Sequence, residues 1–173
     1  MLLLVRAFVD IALHRRGPED LPASTLLLAL AIGADVIVSL GALALAGELE
    51  TRSAALLGAG LAIYAAFAWA VLKAFNREKR IIETATALFG TDALLTTLQL
   101  PMSAWSRSLV AANADATVPN VLGLLLFFWW IDVSGFVLSR AIGRTYVLGV
   151  LIMVGYALFS ISLQSALLPA TTS

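Results

Sequence analysis

The feature that most limits what this chain can fold into is a series of long, nearly uncharged apolar runs. Residues 24–46 carry one charge, Asp35, and residues 120–139 carry one, Asp132. About 20 mainly apolar residues suffice to cross a hydrocarbon core, and a single helix satisfies its own backbone there. Five such runs, at 24–46, 54–75, 81–100, 120–139 and 144–168, predict an all-α, polytopic membrane bundle of five transmembrane helices in one domain, 1–173. Composition agrees: 61% of the 173 residues are hydrophobic and 13% are charged, against about 25% charged in a soluble domain.

Several functions are excluded early. The chain has no cysteine, which removes disulfides, thiolate metal sites and thiol nucleophiles. Its one histidine, His14, cannot build a histidine metal cluster within one chain. We therefore expect no metal, no cofactor and no catalytic residue. The expected partners are the lipid bilayer and another membrane protein or a second copy of the chain, with no nucleic acid.

Before the first run, Arg6, Asp10 and His14 recur every four residues and form one polar stripe among apolar neighbours. This predicts a short amphipathic helix over 1–16 lying in the membrane interface and ended by Gly17-Pro18. A signal peptide places its positive charge before the apolar core. Arg15 and Arg16 come after it, so the segment is expected to be retained.

Basic residues set the expected orientation. Arg15, Arg16, Lys73, Arg77, Lys79, Arg80, Arg140 and Arg144 fall on one side of a five-span topology, and only Arg52 and Arg107 on the other. The positive-inside rule then puts the N-terminus in the cytoplasm and the C-terminus on the outer side of the inner (plasma) membrane. The longest connection, between the third and fourth spans, falls outside, with a surface helix up to Ala112.

The second run carries a packing signal. Ala54, Gly58, Ala62, Ala66 and Ala70 recur every four residues, so one helix face presents only small side chains. Such stripes let backbones approach in lipid, and the expected partner is another helix of the same chain.

Three acids fall at one depth. At ~1.5 Å per residue, Asp35, Asp92 and Asp132 lie near the middle of the first, third and fourth runs, with no Lys or Arg at that level. An aspartate there costs about 2.5–3.5 kcal/mol on the insertion scale, which several leucines at about 0.3–0.6 kcal/mol each offset. Ser39 shares a face with Asp35, Thr96 and Gln99 with Asp92, and Ser139 with Asp132. In the fifth run, Ser160 and Gln164 could join them. We expect the faces to meet inside the bundle, with most of the acids holding a proton and donating it to a hydroxyl, amide or carbonyl. Intramembrane acids point to proton or ion handling; the same residues can also act as interhelical glue.

The stretches FGTD (89–92) and WWID (129–132) invite comparison with intramembrane aspartyl proteases. Thr91 stands where their Gly-x-Gly-Asp motif needs glycine, and proteolysis is not the expected activity.

The five-span layout, the GPEDLPAS segment before the first span, and TALFGTDALLTTLQLP followed by WWIDVSGFVLSRAIGRTYVLGVLIMVGYALFS resemble bacterial membrane proteins of the Yip1-domain type. The eukaryotic Asp-Leu-Tyr-Gly-Pro motif is missing; Asp20-Leu21-Pro22 stands as an echo of it. The resemblance implies a non-catalytic scaffold or partner-binding membrane protein. The residues themselves keep a second expectation open, a small proton- or cation-linked transporter or channel using the three aspartates.

Overall fold

The computed structural model describes residues 2–167, and all of its regular structure is helical. α1 (Leu2–Ala12) leads through a 3-10 turn at Pro18–Asp20 to α2 (Thr25–Ala46) and α3 (Thr51–Ala74). A second turn at Glu78–Arg80 precedes α4 (Ile81–Ala111), α5 (Thr117–Ile142) and α6 (Tyr146–Leu167). Residue 168, the expected end of the last span, and the side chain of Gln164 lie outside the described residues.

Local chemistry explains the boundaries. The Ser24 hydroxyl accepts from the Leu27 amide at 3.4 Å and starts α2. Gly47 and Gly143, at φ 72° and 67°, end α2 and α5 in the left-handed conformation that glycine adopts freely. Glycine at position 17 lets its amide meet the Asp20 carboxylate at 2.9 Å, which fixes the reversal after α1.

Four helices, α2, α3, α5 and α6, are long and apolar enough to cross a membrane. α4 has the length but is more polar, and it is the axis of the bundle. Every residue from Thr84 to Thr91 is buried, with α1, α2, α3 and α5 packed around it. A helix sheathed by protein does not need an apolar side chain at every position. Two of its buried threonines bond within the helix, Thr86 Oγ1 to the Ile82 carbonyl at 2.6 Å and Thr91 Oγ1 to that of Ala87 at 2.7 Å. α4 also continues through Pro101, where the third span was expected to stop, so the connection to α5 shrinks to 112–116.

Two packing expectations are corrected. The small-residue face of α3 does not pack within the chain: Gly58, Ala62, Ala66 and Ala70 are exposed and Ala54 is half-buried. The buried face is the one carrying Tyr64, Ala68 and Leu72, because the large side chains fill the gap toward α4 and α5. The close approach occurs instead between α5 and α6, where a methyl at Gly135 would stand 2.7 Å from the Val150 Cα and one at Gly149 would overlap the Gly135 carbonyl oxygen.

The N-terminal helix is likewise docked on protein. Ile11 is fully buried, the Phe8 ring lies where a side chain at Gly90 would project, and Ala12 packs with Leu95 and Val133. Its apolar side is thus occupied by α4 and α5.

Arginines gather at one end of the bundle. Arg80 Nη1 donates to the carbonyls of Arg140 at 3.3 Å and Ala141 at 3.5 Å, and Arg140 pairs with Glu19. Buried Leu72, Ala141 and Ile142 pack beneath them. This end is closed.

Candidate functional site

The helical repeat delivers the first acid. Leu27, Ala31 and Asp35 form the buried face of α2, four residues apart, and this face packs on α4. Asp35 is 0% exposed. Its carboxyl lies against those of Asp92 on α4 and the Ser39 hydroxyl one turn on. Neither Asp35 oxygen receives a hydrogen bond in this arrangement. Two ionised carboxylates can only accept; a proton or a cation between them converts the contact into a bond.

Asp92 is the more accessible member. It lies beside the Trp130 indole of α5, whose buried N–H has no hydrogen-bond acceptor. Around the pair stands an aromatic frame drawn from four helices. Tyr64 of α3 meets Phe89 at 5.6 Å, Trp130 at 6.2 Å and Tyr156 of α6 at 5.2 Å between ring centroids. The Tyr64 hydroxyl donates to Ser134 Oγ at 3.3 Å, and Tyr156 lies against Ser160. A buried tyrosine hydroxyl needs such a partner, and here the partners tie α3 to α5.

A cleft of about 250 Å³ leads to Asp92 between α4, α5 and α6. Thr96, Gln99 and Ser160 supply its polar lining, while Phe127, Trp130 and Ile161 supply apolar wall. Gln99 is exposed at its mouth. Because α4 runs away from the Arg80 end, the cleft opens toward the opposite end of the bundle.

Asp132 does not join this pair. It stands two residues from both Trp130 and Ser134, which puts it on the other side of α5. There His14 Nε2 lies 3.1 Å from its carboxylate, and the Tyr146 hydroxyl donates to it. The His14 ring stacks on Phe136 at 4.3 Å, and Trp129 Nε1 donates to the Ala12 carbonyl at 3.1 Å. Together these contacts fasten the N-terminal segment to α5 and α6. Asp132 also edges a largely apolar groove of about 350 Å³ between those two helices.

The expected convergence of three acid faces is therefore corrected to two acids together and one apart. Equal depth places residues on one level, but the angle around each helix decides which of them meet. Ser139 is removed from the polar interior as well: it is buried where Gly149 crosses, and its hydroxyl donates to the Phe136 carbonyl at 2.8 Å. Ser39, Thr96 and Gln99 keep company with the Asp35–Asp92 pair.

Sequence reasoning overlooked Tyr64, Trp130 and Tyr156 as site residues, and placed His14 on the polar stripe of α1 without pairing it to Asp132. A signal was present, since a phenol inside an apolar run needs a hydrogen-bond partner, and each of the three tyrosines has a polar neighbour on the same or another helix. No family model, curated protein or solved structure matches this chain.

Proposed function

We propose that this is a small multi-pass membrane protein that moves protons or a small cation, with Asp35 and Asp92 as the exchanging site. One observation carries the reading: two carboxyls lie against each other inside the bundle with no basic side chain paired to them among the described residues. Unpaired acids in a membrane interior are costly unless they exchange a proton or ion. The cleft past Thr96 and Gln99 gives Asp92 access on one side, and the Arg80, Arg140 and Glu19 contacts tie the helices together at the other end. That one-sided access favours a transporter over an open channel. In this reading α4 also crosses the membrane, which makes five spans with α4 the third, the basic end faces the cytoplasm by the positive-inside rule, and the cleft faces outward.

Purified protein in liposomes carrying a pH-sensitive dye tests it. Under an imposed pH gradient, wild-type protein moves protons, Asp35→Asn and Asp92→Asn abolish the flux, and Asp132→Asn retains it. Absence of wild-type flux in either gradient direction, or full flux in both interior Asn variants, overturns the reading.

A second reading, the membrane scaffold implied by the Yip1 resemblance, is favoured by the outward stripe of Gly58, Ala62, Ala66 and Ala70 on α3. Small residues facing lipid are available to a helix of another chain. The chain has no native cysteine, so Ala62→Cys reports cleanly on self-association: a disulfide-linked dimer supports a second copy on this face, and persistent monomer removes it.

A further inference from the structure

The lining of the cleft above Asp92 restricts the kind of cation it can hold. A bare inorganic ion needs oxygens on several sides, about six to eight for calcium. Among the described residues no group of three His, Asp or Glu side chains converges, and Thr96, Gln99 and Ser160 share the cleft with apolar and aromatic wall. Such a wall returns nothing to a dehydrated metal ion. It suits an apolar body, and the face of an indole attracts an ammonium charge.

We propose that the cleft binds a small organic ammonium ion, with its charge at the Asp92 carboxylate beside Trp130 and its apolar part along Phe127 and Ile161. This rests on the transport reading and names the substrate class for the same site. At about 250 Å³ the cleft is smaller than the usual ligand-pocket range of about 300–1,000 Å³, which limits the guest to a small ion. One further observation points to a missing positively charged guest: Asp35, 0% exposed, has neither oxygen hydrogen-bonded among the described residues and lies directly behind Asp92. The Trp130 indole stands beside Asp92 and lines the cleft. Asp35 supplies a second negative charge behind the first without reaching the guest.

Benzyltrimethylammonium is the test ligand, and neopentylbenzene, its uncharged carbon isostere, is the control. Binding to the full chain in detergent is measured by calorimetry, without any gradient, so its result stands apart from flux. The expected result is saturable binding of the ammonium, much weaker binding of the isostere, and a loss of about tenfold or more, equivalent to about 1.4 kcal/mol, in Asp92→Asn. Trp130→Leu weakens the ammonium more than the isostere. Equal binding of the two ligands to wild-type protein overturns the proposal without recourse to a variant. So does displacement of the ammonium by sodium or potassium at equal concentration, which would mark an inorganic-ion site. Binding as expected with no proton flux keeps the ligand class and loses the coupling; flux without ammonium binding keeps the coupling and loses the ligand class.

Discussion

The two acid sites of this bundle are both placed near the middle of apolar runs by the sequence and differ in nearly everything else. The Asp35–Asp92 pair lies between α2, α4 and α5 and has no basic partner among the described residues. Asp132, whose side chain is 37% exposed, has a histidine and a phenol. At the first site each acid's charged neighbour is the other acid, with the Ser39 hydroxyl and the Trp130 indole beside them; at the second, His14 and Tyr146 are directed at the carboxylate. A carboxyl without a basic partner is free to exchange what it binds, whereas one held by His14 and Tyr146 is part of a fastening. The difference teaches that an intramembrane acid is read by its neighbours around the helix axis and not by its position along it.

The strongest challenge to this contrast is Gly149→Val. Overpacking costs about 1–3 kcal/mol in an ordinary core, and here the added side chain meets backbone at Gly135. Because α5 and α6 carry parts of both sites, thermal unfolding in detergent should fall by at least this amount, with proton flux and N-terminal docking lost together. Loss of only one of them would mean that the sites do not depend on a common helix pair.

Asn substitution tests the contrast by sign. Asp35→Asn places an amide donor against the Asp92 carboxyl in place of a second carboxyl, and should raise the midpoint of thermal unfolding. Asp132→Asn replaces the acceptor of His14 and should lower it, each by about 1 kcal/mol. The same sign for both variants would break the comparison.

His14→Ala should cost about 1 kcal/mol, the sum of a partly exposed histidine–carboxylate contact and a ring stack. Limited trypsin digestion is the sensitive readout, since Arg15 and Arg16 are exposed next to it and should be cut faster once the segment lifts. Unchanged digestion would show that Phe8 and Ile11 alone hold α1.

The smallest effect is expected far from both sites. In the connection before α5, the Thr117 hydroxyl at 2.5 Å and amide at 2.8 Å hold the Asp115 carboxyl below its ordinary value of 3.8. A depressed carboxyl contributes stability that is present above pH 3.8 and is lost as pH falls through the lower folded value. NMR shifts at Thr117 should move only in that acid window. Movement near neutrality would place another titrating group there.

Much of the fold is legible along the chain because lipid imposes a simple demand. The expected runs at 24–46 and 54–75 correspond closely to Thr25–Ala46 and Thr51–Ala74, since length and hydropathy alone set them. The α4 boundary was not legible: Pro101 signals an end, but a proline inside a helix removes only one backbone bond, and the turns on both sides continue. The small-residue stripe on α3 also misled, because periodicity marks a face without saying what lies opposite it.

The sequence by itself determined that the chain is a series of long apolar helices bearing three acids at one level, because hydropathy and the helical rise are properties of each segment alone. Tertiary structure decided which acids meet. The rotation of each helix is set by how side chains from different segments fill space, Gly135 against Gly149 and Tyr64 against Phe89 and Tyr156. Those rotations join Asp35 to Asp92 and leave Asp132 to His14.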